Sequence, residues 1–213
     1  MALDQAKIRL VMELRGDGIT DTRVLSAIER VDRDAFVPED LREQAYDNTA
    51  LPIGCGQTIS QPYVVAFMTQ ALQVGDRMKV LEVGTGSGYQ AAVLSHLCRR
   101  VYTIERHRPL LRRAEKVFQK LGIANIVTRY GDGFEGWPEQ APFDRIVVTA
   151  AADEIPEKLI EQLAMGGIMV IPVGGFAADQ YVQRITRTES GLKTEVLLPV
   201  RFVPMVHGVE RES

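Results

Sequence analysis

The sequence predicts a doubly wound α/β fold, and three neighbouring patterns support this prediction. A short apolar run, Lys79 to Val83, passes directly into a glycine-rich turn, Gly84 to Gly88, and then into a helical run, Tyr89 to Leu97. Two further strand-like runs follow, 100–105 and 126–130, each with an acidic residue at or just beyond its end. Strand, tight turn and helix in this order indicate parallel βα units, whose ligands lie beyond the carboxyl ends of the strands.

The segment before these units is predicted to be mainly helical. Helical periodicity runs from Leu3 to Leu14 and stops at a glycine signal, and Thr20 or Asp21 can cap a second helix. A short third helix is predicted over 38–45, followed by a polar, glycine-bearing loop over 47–60.

The remaining elements extend the sheet beyond the first three strands. They are a helix over 62–72, a strand over 143–149, a helix over 156–163 and a strand over 168–173. The runs 181–188 and 194–202 alternate around Ser190-Gly191, which predicts an antiparallel hairpin.

The glycine turn and two acidic residues indicate a nucleotide-like cofactor. A nicotinamide fingerprint requires G-x-G-x-x-G, whereas here the third glycine comes one residue early and Tyr89 takes its place. The pattern G-x-x-x-x-G-K-[ST] is absent, which excludes a phosphate-cradling P-loop. Glu82 and the glycine spacing, with Glu105 at the end of the next strand, resemble the cofactor site of S-adenosylmethionine-dependent methyltransferases. The alternative is a tight turn that only packs a strand against a helix.

Each strand end has a distinct predicted task at this site. A carboxylate in the position of Glu105 accepts hydrogen bonds from ribose hydroxyls. Asp132, which lies between Gly131 and Gly133, is suited to bind the adenine amino group. The alternative for Asp132 is an ordinary loop turn, where Asp and Gly are favoured in any case.

The sequence motifs of several other methyl-transfer reactions are absent from this chain. An Asn/Asp-Pro-Pro-aromatic loop is absent after the fourth strand, where Thr149-Ala150-Ala151-Ala152-Asp153 stands instead. Neither Cys55 nor Cys98 follows a proline, as a cytosine C5 nucleophile would. The three histidines are scattered, so no metal ligand set is predicted and each is interpreted as a packing or surface residue. The acceptor is therefore expected to be nucleophilic already at neutral pH.

The loop before the first core strand carries a family resemblance. Its sequence LPIGCGQTISQP, residues 51–62, closely resembles the signature of the protein-L-isoaspartate O-methyltransferases, as do EVGTGSGY (82–89), the GDG turn and residues 159–173. The resemblance covers essentially the whole chain. It implies a Rossmann-like methyltransferase fold, S-adenosyl-L-methionine as cofactor and S-adenosyl-L-homocysteine as product. It also implies that the substrates are isoaspartyl and D-aspartyl residues of damaged proteins and peptides.

The resemblance also implies the site residues. Ser60 is the expected catalytic residue, and the expected cofactor-binding residues are Gln57, Thr58, Ile59, Glu82, Gly84, Thr85, Gly86, Ser87, Gly88, Glu105, Asp132 and Gly133. A carboxyl group with a pKa near 3.9 is ionised about a thousand to one at pH 7, so no base has to remove a proton. The Ser60 hydroxyl is expected to orient that carboxylate as a donor. Its alternative role is an N-cap for the helix that begins near Pro62.

The global properties are those of a single protein domain. We divide the 213 residues into a helical extension with the active-site loop (1–60), a cofactor-binding core (61–175) and C-terminal strands (176–213). The formal net charge is −3 and the pI is about 5.7, so the sequence has no excess of basic residues that would attract nucleic acid. Two cysteines without metal spacing and the absence of a signal or long apolar segment predict a cytoplasmic protein that does not enter the membrane.

Two other function classes remain open at the level of the sequence. One is a methyltransferase that acts on a small carboxylic acid or on a nucleic acid. The other is a catalytically silent sensor that binds the cofactor and partner proteins. The acidic pI argues against nucleic acid, and the intact Ser60 and cofactor residues argue against a silent sensor. The sequence leaves the oligomeric state undetermined.

Overall fold

Six α-helices lie within the residues that the computed structural model describes, 2–175 and 179–210. They are α1 (Ala2–Gly16), α2 (Thr22–Arg30), α3 (Pro62–Leu72), α4 (Tyr89–Ser95), α5 (Arg108–Lys120) and α6 (Glu157–Glu161). Short 3-10 helices occupy Arg33–Phe36, Glu39–Gln44, Gly133–Glu135 and Pro138–Gln140. None of the described helices has the length and apolar character that a membrane crossing requires.

Seven of the nine described strands form one sheet. The strands are β1 (Leu51–Gly54), β2 (Gln57–Ile59), β3 (Lys79–Val83), β4 (Arg100–Glu105), β5 (Ile126–Tyr130), β6 (Phe143–Val148), β7 (Leu163–Val173), β8 (Gln180–Thr188) and β9 (Gly191–Val200). The order in the large sheet is β5-β4-β3-β6-β7-β8-β9. Strands β3 to β7 are parallel, whereas β8 and β9 are antiparallel additions at one edge. This arrangement confirms the predicted α/β fold.

Strand β3 lies at the centre of the sheet and is buried on both faces. Its alternate residues lie in two hydrophobic cores. Val80 packs in the core that includes the helical extension, and Leu81 packs in a second core with Ile146 and Trp137. Such two-sided burial explains why the consecutive residues Val80 and Leu81 are both apolar, rather than alternating with polar residues. The crossover from β3 to its neighbours β4 and β6 places the carboxyl ends of all three strands at one edge.

A buried cation holds the helical extension against the core. The Arg33 side chain is fully buried, its Nε donates to the Ala45 carbonyl (2.8 Å) and its Nη2 donates to the Thr49 carbonyl (3.3 Å). The guanidinium carbon lies 4.9 Å from the centre of the Tyr89 ring. Burial lowers the pKa of Arg33 to about 10, so the group remains charged at neutral pH. Arg33 thus fixes the loop that leads into β1.

The predicted elements and the structure differ in three places. The segment 47–60, predicted as a loop, contains the antiparallel hairpin β1-β2. The predicted helix over 38–45 is a 3-10 helix, and the strand predicted over 168–173 begins five residues earlier, at Leu163. Part of the predicted C-terminal region, residues 176–178 and 211–213, lies outside the described ranges.

Candidate active site

A cavity of about 270 Å³ lies beyond the carboxyl ends of β3, β4 and β6. This is slightly below the usual range for small-molecule sites, which is about 300–1,000 Å³. Its walls are strand β2 with Ser60, the glycine turn after β3, the residues 104–107 at the end of β4, Thr149 after β6, and the C-terminal residues 203–206. The cavity therefore lies where the doubly wound topology places a ligand.

Backbone hydrogen bonds attach the glycine turn to β4. The Gly84 and Thr85 amides both donate to the Ile104 carbonyl, at 2.8 and 3.1 Å. Gly84 has φ +97°, and a Cβ there would lie 2.3 Å from Thr149 Oγ1. The Thr149 hydroxyl donates to the Gly84 carbonyl at 2.7 Å. A side chain at position 84 would break this bond between β3 and β6, so glycine is required there.

The Glu105 carboxylate forms part of the cavity wall and has a fixed orientation. One oxygen accepts the Gly86 amide at 2.8 Å, and the other accepts the His107 amide at 2.9 Å. The residue is only 5 % exposed. A carboxylate has about four acceptor positions, so each oxygen keeps capacity for one more donor. Glu105 can therefore bind hydroxyl groups of a ligand without losing its own backbone contacts.

Glu82 lies behind this wall and does not contribute to it. The side chain is fully buried, and Thr103 Oγ1 donates to Glu82 Oε2 at 2.5 Å. Thr85 Oγ1 lies 2.7 Å from Thr103 Oγ1, which links Glu82 to a residue of the cavity wall. Burial raises the pKa of Glu82 to about 8; the Thr103 hydrogen bond opposes this rise and the nearby Glu105 adds to it. Glu82 is therefore mainly protonated at neutral pH.

The Asp132 carboxylate is used within the protein. One of its oxygens accepts the Phe134 amide at 2.8 Å, and the other accepts the Gly208 amide at 2.7 Å. The neighbouring Gly133 lines the cavity, and a Cβ at that position would lie 2.4 Å from Val83 Cγ1. Asp132 therefore stabilises the turn after β5 and holds the C-terminal segment beside it.

Ser60 faces the cavity and is not the N-cap of α3. The N-cap position belongs to Gln61, whose backbone carbonyl accepts the Val65 amide at 3.1 Å and whose side chain makes no capping bond. Ser60 comes one residue earlier, directly after β2, and is half-buried in the cavity wall. The capping alternative for Ser60 is therefore wrong, because the helix begins one residue too late for it.

The structure brings most of the predicted site residues to this cavity. The predicted residues that line it are Gln57, Thr58, Ile59, Ser60, Gly84, Thr85, Gly86, Ser87, Glu105 and Gly133. Glu82 and Asp132 lie outside the wall, as described above. Gly88 also lies outside it, at the start of α4, where a Cβ would meet the Phe118 ring at 2.7 Å. What each of these residues binds stays a prediction.

Sequence reasoning did not assign Thr149 to the site, although this residue lines the cavity. The C-terminal residues Met205 and Val206, which are far from the glycine turn in sequence, also line it. Cys55, in the turn between β1 and β2, is exposed. A polar residue directly after the fourth strand was a usable signal for Thr149, because neighbouring parallel strands end at the same edge.

Comparison with known proteins identifies the family. The model of the protein-L-isoaspartate(D-aspartate) O-methyltransferase family matches residues 5–210. The chain belongs to this family. A protein-L-isoaspartate O-methyltransferase of Parvibaculum lavamentivorans is 62 % identical over 212 residues, which cover 99 % of this chain and 96 % of that protein. One of Rhodospirillum rubrum is 64 % identical over 211 residues, with 98 % and 96 % covered.

Two solved structures of this family share the fold. A protein-L-isoaspartate O-methyltransferase aligns with a TM-score of 0.85 and 28 % identity over 93 % of this chain, and the chain spans 65 % of that protein. A Plasmodium falciparum protein of the same description aligns with a TM-score of 0.81 and 26 % identity, with 94 % of this chain and 98 % of that one covered. The latter was solved in complex with S-adenosyl-L-homocysteine.

The protonated state of Glu82 has a measurable effect on stability. Because its pKa is about 8 in the folded protein and near 4.5 when exposed, its favourable contribution is fully present below pH 4.5. That contribution is lost as pH rises through 8, by up to about 1.4 kcal/mol per pH unit between these values. We expect Glu82→Gln, which is always neutral, to match wild type near pH 5 and to exceed it in stability at pH 8.

Urea unfolding of both proteins across this pH range measures the difference. Glu154→Gln is the control, because Glu154 is exposed in the loop before α6 and lies outside the buried network of Glu82. A constant difference between wild type and Glu82→Gln from pH 5 to pH 8 would contradict the assigned protonation state.

Proposed function

We propose that this chain transfers the methyl group of S-adenosyl-L-methionine to the free carboxylate of L-isoaspartyl and D-aspartyl residues in damaged proteins and peptides. The resulting ester collapses to a succinimide, whose hydrolysis partly returns a normal aspartyl residue. The chain belongs to the family that has this activity, and the match covers residues 5–210. The observation that carries the proposal is that Ser60, in the loop specific to this family, lines the same cavity as Glu105 and the glycine turn.

The residues around the cavity fit the proposed cofactor. Glu105 presents a fixed carboxylate with free acceptor capacity, which suits the two hydroxyls of a ribose. The Gly84–Ser87 backbone is accessible from the cavity, and no Cβ at positions 84 and 86 limits the approach of a ligand. When bound, the cofactor supplies a methyl group on a positively charged sulfur. Gly133 and His107 complete the proposed binding wall.

The contribution of the protein to the reaction is positioning. The acceptor carboxylate is ionised at neutral pH and needs no general base. Ser60 is proposed to donate a hydrogen bond to that carboxylate and so to fix its direction. Holding two reactants in attack geometry is worth effective molarities of about 10⁵–10⁸ M, which makes alignment a sufficient source of rate.

The proposed partners and compartment are argued from the net charge and the cysteine content of the chain. A net charge of −3 offers no general attraction to nucleic acid, so the proposed substrates are proteins and peptides. Two cysteines, both unpaired, suit a reducing compartment, and we propose the cytoplasm.

The proposed substrate is tested with two peptides that differ only in aspartyl or isoaspartyl linkage. We expect radiolabelled methyl transfer to the isoaspartyl peptide and essentially none to its aspartyl twin. Single-turnover measurements with small carboxylic acids and RNA cover the other acceptor classes. Equal labelling of the twin peptides would refute isoaspartyl specificity, and binding of the cofactor without any transfer would favour the sensor.

The role of Glu105 is tested by a thermodynamic cycle that changes the ligand and the protein in turn. This design separates ribose binding from support of the backbone. Simple removal of the carboxylate also leaves the Gly86 and His107 amides without their acceptor. We therefore compare S-adenosyl-L-homocysteine with its 2′-deoxy analogue in wild type and in Glu105→Ala. A hydrogen bond to a charged group contributes about 1.5–3 kcal/mol, so wild type should prefer the natural ligand by tenfold or more.

In Glu105→Ala the ratio of the two affinities, that for the natural ligand over that for the 2′-deoxy analogue, should fall close to one. Calorimetric titration gives all four affinities, and the ratio isolates the pair of groups that interact. If the variant keeps the full preference for the natural ligand, Glu105 supports the turn and does not contact the 2′-hydroxyl.

The role of Ser60 is tested by two substitutions with opposite chemistry. Because Gln61 is the N-cap, Ser60→Ala should change stability by less than about 0.5 kcal/mol, the usual range for surface positions. It should lower turnover by roughly 10²-fold, the effect of losing one preorganised donor. Ser60→Asp should fold and bind S-adenosyl-L-homocysteine but scarcely methylate the peptide, because its charge repels the incoming carboxylate.

Turnover, calorimetric affinity and thermal melting are measured on both Ser60 variants. Near-normal turnover of Ser60→Asp would show that the hydroxyl takes no part in orienting the acceptor. A large loss of thermal stability in Ser60→Ala would instead show a structural role that the hydrogen-bond pattern does not predict.

A further inference from the structure

Three side chains with different ligand atoms meet beside the cofactor cavity. The Cys55 sulfur, a His107 ring nitrogen and a Glu210 carboxylate oxygen all lie within 4.8 Å of one another. They come from the turn between β1 and β2, from the exit of β4 and from the C-terminal segment. The proposed methyl transfer uses neither Cys55 nor Glu210.

We infer that Cys55, His107 and Glu210 form a binding site for one Zn²⁺-like cation. Sulfur, imidazole nitrogen and carboxylate oxygen together are the ligand types that Zn²⁺ accepts, whereas Mg²⁺ and Ca²⁺ require oxygen ligands. Three protein ligands leave a fourth position for water. The site shares His107 with the wall of the proposed cofactor cavity but requires none of the acceptor chemistry.

The separation of the ligand atoms is close to what a tetrahedral ion needs. Zn–S bonds of about 2.3 Å and Zn–N and Zn–O bonds of about 2.0–2.1 Å place ligand atoms about 3.3–3.6 Å apart. His107 Nδ1 and a Glu210 oxygen are in direct contact and must move apart to admit the ion, whereas Cys55 must approach by up to about 1.2 Å. Because Cys55 and Glu210 are exposed, their side chains can make this adjustment by rotation.

Hydrogen bonds hold the backbone of each contributing segment in place. The His107 amide donates to Glu105, and its side chain is buried, which fixes the nitrogen that faces the other two groups. The Glu210 amide donates to the Arg106 carbonyl (3.1 Å), and the Tyr130 hydroxyl donates to the Glu210 carbonyl (2.6 Å). Arg113 donates to the carbonyl of Ile53, two residues before Cys55, at 2.8 Å. The site is therefore largely preorganised.

A bound ion would join three walls of the cavity. Gly56, His107 and Val206 line it, and each lies on or near one of the segments that supply a ligand. On binding, the Cys55 sulfur would hold the ion as a thiolate, and its proton would pass to solvent.

Cobalt titration of the reduced 213-residue chain, without cofactor, tests the site. Co²⁺ replaces Zn²⁺ as a spectroscopic probe and gives a thiolate-to-metal charge-transfer band when a cysteine binds it. We expect saturable binding of one Co²⁺ with this band, and displacement by Zn²⁺. Cys55→Ser should abolish the band, and Glu210→Gln should weaken binding at least tenfold.

Two matched controls keep the result specific. Cys98→Ser removes the other, buried cysteine and His207→Gln removes an exposed histidine near Asp132, and both should retain the band and the affinity. Circular dichroism checks that every variant folds. Lack of saturable binding, or a charge-transfer band that persists in Cys55→Ser, would show that His107 and Glu210 form only an ion pair and would overturn the site.

Discussion

The site depends on the hydrogen bonds that join the glycine turn to the end of β4. The Ile104 carbonyl accepts two amides of the turn, and the Glu105 carboxylate accepts a third from Gly86. These contacts fix the backbone after β3 relative to the carboxylate that is proposed to bind the ribose. The same carboxylate also accepts the amide of His107, the residue directly before α5. One strand end thus sets the positions of both parts of the cofactor site.

The second constraint is long-range and comes from the C-terminal segment. The Ala151 backbone binds this segment at two points: its amide donates to the Val203 carbonyl at 2.8 Å, and its carbonyl accepts the Met205 amide at 2.7 Å. Asp132 then holds the Gly208 amide. Residues 203–206 line the cavity. This segment therefore completes a site that also contains Ser60 and the glycine turn, which lie far from it in sequence.

Local patterns predicted the fold well because the parallel strands contain consecutive apolar residues, and β3 and β5 are followed directly by glycine. They failed at the β1-β2 hairpin, whose strands have only four and three residues and contain Pro52 and Gly54, which are typical of a loop. Ser60, Glu105 and the glycine turn, which the sequence predicted as site residues, all line the cavity, and what they bind stays a prediction. The sequence could not show that Asp132 is engaged by a segment 76 residues away, since that depends on tertiary packing.

Glu82 shows why an acidic residue in a motif need not touch the ligand. Two carboxyl groups close together in a buried region cannot both be ionised without a large electrostatic cost. Desolvation of Glu82 resolves this conflict by keeping its proton, which removes a like charge from beside Glu105. The neutral carboxyl still holds Thr103, and through it the Thr85 hydroxyl at the cavity wall. The acid that precedes the glycine turn thus supports the site from behind, while Glu105 lines the cavity and is the carboxylate proposed to bind the ribose.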